Sequence, residues 1–197
     1  MSNCIIIPKY KFTEPSNNLP GRKGIATGED HFTIAFMRAY LEDASSIHNR
    51  SKKTTLAFAR EIPVNGYGIA DLHVVAWNVL AREKFPDTES FVKVVRPCTR
   101  AFECKLVDWR KAMAQACRYR FFANQTMVVL PEKICARAIP YLNTFKKIKV
   151  GLWSFSPENG KIRVHHTPRP LAAKSKKYYY QAIEKVSAAS RQVLPIP

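Results

Sequence analysis

Apolar positions recur at helical spacing from Asp30 onward, at Phe32, Ile34, Ala35, Met37 and Leu41, behind the acidic pair Glu29 and Asp30. That spacing predicts a helix over residues 30–46, with its acidic start matched to the helix dipole. A polar, basic stretch over 46–55 then gives way to two β-patterned runs, 56–64 and 67–77, separated by Asn65-Gly66. Asn-Gly between such runs predicts a hairpin. Residues 78–84 fit either an extended strand or a short helix ahead of the Pro86-Asp87 turn. Further on, alternation over 102–107 predicts a strand with Glu103, Lys105 and Val107 on one face and Cys104 and Leu106 on the other. Asp108 is placed to cap a helix over 109–122, and 126–130 reads as a buried strand. A second helix over 131–147 is opened by Pro131 and kinked at Pro140. Strands over 150–155 and 161–166 flank the turn Pro157-Glu158-Asn159-Gly160, and a basic helix is expected within 171–192.

This order of elements predicts an α/β fold, with a mixed central sheet covered by helices. Residues 9–30, rich in Lys, Asn, Pro and Gly, lack periodicity. The expected organisation is therefore an N-terminal arm (1–29), a core (30–170) and a basic helical tail (171–197) that belongs to the same single domain.

Composition narrows the partners. The 197 residues carry 32 Lys plus Arg against 15 Asp plus Glu, a formal net charge of +17, while 46% hydrophobic content is that of an ordinary folded chain. Such an excess of positive charge favours a polyanion, because each neutralised phosphate releases condensed counterions, and DNA is the leading expectation. No apolar run approaches the roughly 18–20 residues needed to span a bilayer. The start, Met1-Ser2-Asn3-Cys4, lacks a secretory pattern. A cytoplasmic (intracellular) protein without membrane attachment is expected. Five cysteines, none in a CxxC pair, suggest buried reduced thiols. His165 and His166 are adjacent on a strand and so face opposite ways, and no phosphate-cradling glycine motif is present.

The chemistry concentrates in Asp71, at the end of the apolar run Gly68-Ile69-Ala70, and in Glu103-x-Lys105. If their strands are neighbours, the two carboxylates can share a hard divalent cation that keeps open positions for water and phosphate. Lys105, on the face of Glu103, is placed to position or help deprotonate that water, or to balance charge in the transition state. A Glu-x-Lys alone would read as a solvated cross-strand ion pair. Asp71 and the strand, helix and strand that follow reverse that reading.

In these residues the sequence resembles the PD-(D/E)XK nuclease superfamily, whose motif sets an acidic residue on one strand and (Asp/Glu)-x-Lys on the next. The resemblance covers roughly residues 30–155 and includes the helix bearing Trp109, Gln115 and Tyr119. It implies a restriction-endonuclease-like three-layer core and a Mg2+-dependent DNA endonuclease, with Mn2+ as a plausible substitute. Asp71, Glu103 and the backbone carbonyl of Cys104 would face the metal, Lys105 would assist the water, and Gln115 would support the site. An acidic residue on the first helix often assists in that family, which makes Glu42 or Glu29 a candidate, with Glu61 on the first hairpin strand competing. The chain departs from the family pattern in having Ala70-Asp71 for Pro-Asp, and a long interval between Asp71 and Glu103. Candidate DNA contacts are Lys52 and Lys53, then Arg110, Lys111 and Arg118, then Lys174, Lys176 and Lys177 beside three tyrosines that allow stacking on bases. The alternatives are a basic nucleic-acid-binding protein that does not cut, and a nuclease subunit of a restriction, transposition or repair complex. A homodimer or another protein partner is compatible with either.

Overall fold

The computed structural model describes residues 18–19, 22–23, 28–51, 54–78 and 87–189. A two-residue antiparallel pair, β1 (Asn18–Leu19) with β2 (Arg22–Lys23), precedes helix α1 (Gly28–Ser51). The hairpin β3 (Thr54–Val64) and β4 (Gly68–Asn78) turns at Asn65-Gly66, where Gly66 takes φ 80°. After α2 (Thr88–Val95) come β5 (Cys98–Cys104), α3 (Trp109–Tyr119) and β6 (Gln125–Pro131). The chain ends with α4 (Glu132–Ala138), α5 (Leu142–Ile148), β7 (Gly151–Ser156), β8 (Lys161–His166) and α6 (Lys176–Ala189).

Strands β3 to β8 form one six-stranded sheet in chain order. The pairs β3–β4, β4–β5 and β7–β8 are antiparallel, whereas β5–β6 and β6–β7 are parallel and joined through helices. The expected α/β class and mixed sheet are therefore present. Helix α1 lies across one face. Its Phe32, Phe36 and Tyr40, one turn apart, bury against Phe102 of β5 and Trp153 and Phe155 of β7. On the other face α3, α4 and α5 close over Val128, Leu130 and Leu152, while α6 covers β3 through Tyr179, Ala182, Ile183 and Val186. Three layers result.

Local signals fare well where they act alone. Asp108 caps α3 by accepting from Lys111 N at 3.0 Å. Pro140 splits the expected second helix into α4, a 3-10 turn over Ile139–Tyr141 and α5, because it lacks the N–H that a continuous helix needs. Strand β5 begins four residues earlier than the alternation suggests and stops at Cys104, so that Lys105 stands just past its end. The tail helix starts at Lys176, after a segment pinned by Lys174 N to Arg120 O and Ser175 N to Phe121 O, each 3.0 Å. Among the described residues no helix is long and apolar enough to cross a membrane.

Candidate functional site

Antiparallel pairing of β4 with β5 ends at Leu72 opposite Phe102, which leaves Asp71 and Glu103 as the next residues of the two strands, close enough for the charge of one to act on the other. Asp71 Oδ2 accepts from the Cys104 N–H at 2.7 Å, which fixes the carboxylate against the end of β5. Glu103 is 1% exposed; its Oε2 meets the Tyr119 hydroxyl of α3, and its Oε1 faces Lys105 Nζ at 3.3 Å as an ion pair without a well-directed hydrogen bond. Lys105 Nζ also donates to Glu29 Oε2 at 3.0 Å. The lysine thus clips the start of α1 to the end of β5. The sequence-predicted trio is brought together at the C-terminal end of a parallel strand, where α/β sheets commonly open a crevice.

The electrostatics follow from that burial. Loss of water lifts Asp71 to about 6 against the downward pull of the Cys104 amide and Lys105. Burial and then the Asp71 charge lift Glu103 to about 7. Burial pushes Lys105 down, but the charges of Glu103, Asp71 and Glu29 outweigh it and hold the ammonium well above the ordinary lysine range. Lys105 is therefore a permanent cation in this setting. Burial, then Glu103, raises Tyr119 likewise, and the Cys104 thiol, 1% exposed among the α1 contacts, is held neutral chiefly by burial.

The structure separates the three rival acids. Glu29 is in the cluster through Lys105. Glu61 lies opposite Asp71 in the β3–β4 register, but the ladder skips that pair because Glu61 adopts φ 52°. A left-handed glutamate costs roughly 1–2 kcal/mol. The distortion shifts side-chain alternation along β3, since Ala59 and Ile62 both enter the same core. Arg60, which sequence reasoning missed, bridges Glu61 and Asp30 of α1, each at 3.7 Å. Glu42 is exposed and stands thirteen residues beyond Glu29, about 20 Å along the helix. It is not part of the cluster.

Gln115 lies one turn before Tyr119 on α3, and its Oε1 is buried without a hydrogen-bond partner. His73 is fully buried against Phe122, with both ring nitrogens lacking partners, and burial pushes it down to about 3. It is a packed core histidine. Of the candidate DNA contacts, Lys52 and Lys53 lie outside the described residues. Arg110 covers the Trp109 and Tyr141 rings at 4.4 and 5.5 Å, while Lys111, Arg118, Lys174, Lys176 and Lys177 are exposed.

Among the described residues no three His, Cys, Asp or Glu side chains group closely enough to hold a metal ion. The oxygen donors that do converge are the Asp71 and Glu103 carboxylates, and Glu103 Oε1 lacks a hydrogen bond. That set suits Mg2+, which is commonly bound through one or two carboxylates and retains several waters. No family model, curated protein or solved structure shows a significant match to the chain.

Proposed function

We propose that the protein is a metal-dependent DNA endonuclease with a restriction-endonuclease-like core. The observation that carries this reading is the convergence of Asp71, Glu103 and Lys105 at one strand end, with Glu103 and Lys105 in contact and Asp71 anchored on the amide between them. The three layers, the acid on one strand with Glu-x-Lys on its neighbour, and the following helix and parallel strand agree with the PD-(D/E)XK resemblance. The strained backbone at Glu61 beside Asp71 is of the kind that persists at functional sites.

Asp71 and Glu103 would hold Mg2+ or Mn2+, with the Cys104 carbonyl beside them, and the bound ion supplies Lewis-acid polarisation of the phosphate and a more acidic water. Both carboxyls must be ionised to do so, and since burial raises both, metal binding releases protons and tightens as pH rises. Lys105, protonated throughout the working range, orients the attacking water and balances charge on the phosphoryl oxygens, and leaves proton removal to another acceptor. Glu29 holds Lys105 in place, and Gln115 Oε1 supplies a further acceptor near the helix face of Tyr119. The net charge of +17 supplies attraction for the DNA backbone.

The test is a gel assay of supercoiled, linear and single-stranded DNA with Mg2+, Mn2+ or EDTA. Wild-type protein is expected to cut only with metal, and Lys105→Ala to lose at least about 10²-fold in rate while still shifting DNA. Metal-independent binding with no cleavage of any substrate would replace this reading with the non-catalytic one.

A further inference from the structure

Three aromatic rings from three separate segments meet at the end of the β3–β4 hairpin nearest the carboxylates. Tyr67, in the turn, stacks on Phe121 with centroids 4.2 Å apart and planes at 24°, and Tyr178 of α6 meets Tyr67 edge-on at 4.7 Å. All three are only half-buried. Lys174 Nζ stands 5.0 Å from the Phe121 centroid, and Lys177 Nζ 5.8 Å from that of Tyr178. Arg118 reaches the same place from α3, with Nη2 4.0 Å from the position a Cβ would take on Gly68. Among the described residues none of these three cations is in an ion pair.

Rings that served only to glue α6 to the hairpin would be best covered by apolar side chains. Here flexible ammonium groups stand over Phe121 and Tyr178, a weak contact in water that a flat ring can replace while the ammonium turns to a phosphate. Position adds a second argument. Tyr67 precedes Asp71 by four residues, about 13 Å of extended chain. Phe121 follows Tyr119, whose hydroxyl touches Glu103, by two.

We propose that Tyr67, Phe121 and Tyr178, with Lys174, Lys177 and Arg118, form a stacking platform for an unpaired stretch of polynucleotide, which it delivers to the carboxylates. The inference rests on the nuclease reading for its purpose, while its binding chemistry is independent of metal. A duplex presents its base faces to neighbouring bases and has none to offer such rings. The occupant is therefore a single strand, a frayed end or a flap.

Binding is measured in EDTA, by fluorescence anisotropy, with labelled dT12, a 12-base-pair duplex, rU12 and an abasic 12-mer that keeps the phosphates but lacks the bases. The wild type is expected to bind dT12 about tenfold or more tightly than the abasic strand, and more tightly than the duplex; rU12 tells whether DNA or RNA supplies the strand. Tyr178→Leu, which keeps apolar packing on Tyr67, is expected to lose most of that preference without changing the salt dependence. Replacing Lys174 and Lys177 by glutamine is expected to reduce the slope of log affinity against log salt by about 1.4. Equal binding of dT12 and the abasic strand by the wild type overturns the proposal, and that comparison needs no variant to fold. Stacking without cleavage in the metal assay overturns the nuclease reading and leaves the platform standing.

Discussion

In metal-free protein, Glu103→Gln is expected to become more stable than wild type as pH rises. Burial and the neighbouring Asp71 hold the Glu103 carboxyl up to about 7, against 4.5 for the free group. Between those values the folded protein keeps a proton that the unfolded chain has released. Stability is therefore full below about 4.5, declines as pH rises through that interval, and levels off above about 7. At about 1.4 kcal/mol per pH unit, the interval is worth on the order of 3 kcal/mol, with no discount for solvent because Glu103 is 1% exposed. The geometry agrees with the sign. The Tyr119 hydroxyl has one hydrogen and faces two acceptors, Ile69 O at 2.5 Å and Glu103 Oε2. A protonated Glu103 resolves this by donating to Tyr119, and a glutamine amide can do the same at any pH. Urea unfolding of both proteins in EDTA, from pH 4.5 to 8.5, gives the difference in stability, in which contributions from groups outside the Asp71–Glu103 pair largely cancel. That difference is expected to grow by roughly 3 kcal/mol toward high pH. Added Mg2+ at pH 8 is expected to stabilise the wild type alone. A difference that stays flat within about 1 kcal/mol would refute the reasoning.

Two further substitutions test neighbouring arguments. His73→Leu removes a fully buried ring with two unpartnered nitrogens, and is expected to add about 1–3 kcal/mol at pH 7. Its advantage should widen on acidification below about 6.5, because the unfolded histidine takes up a proton there while the folded one resists to about 3; an unchanged urea midpoint at pH 7 and pH 5 would count against this. Tyr119→Phe removes the hydroxyl bonded to the Ile69 carbonyl and to Glu103 Oε2, at a cost of about 1–3 kcal/mol. Its urea midpoint is expected to fall, with cleavage reduced and DNA binding retained, and a midpoint equal to wild type would show that the hydroxyl bonds are idle.

Local chemistry made much of this molecule legible from sequence. Asn65-Gly66, Asp108 and Pro140 act within a few residues of themselves, and each does what its backbone chemistry dictates. The spacing of Glu103 and Lys105 likewise places both on one face, and the structure joins them. What stayed hidden depends on elements meeting at a distance. Glu29 and Glu61 come near Asp71 and Glu42 does not, through the direction of α1 over the sheet and through strand register, neither of which a local pattern encodes. Arg60 sits in an ordinary alternating run, and only the approach of Asp30 from α1 gives it a partner. The left-handed backbone at Glu61 carries no glycine or asparagine to announce it. Strand β5 starts early because its first residues pair with β4 at Val75 and Ala76, a contact made across the sheet.

The pairing of β4 with β5 also sets which insertions and deletions this gene could tolerate. Asp71 comes near Glu103 because two strands are laid side by side, so the length of chain that joins them, through α2, has no bearing on the distance between the carboxylates. That connection can change length without moving the carboxylates wherever α2 keeps Phe91 packed on Trp77. Between Glu103 and Lys105 the opposite holds: one added residue would turn the lysine into the α1 core and bring an apolar neighbour out in its place. The stretch from Lys105 to Tyr119 is nearly as rigid, since an extra residue in α3 would rotate the hydroxyl by about 100° off Glu103. Lineages descending from this chain would thus vary most in the interval that looks longest on paper and least across a span of three residues.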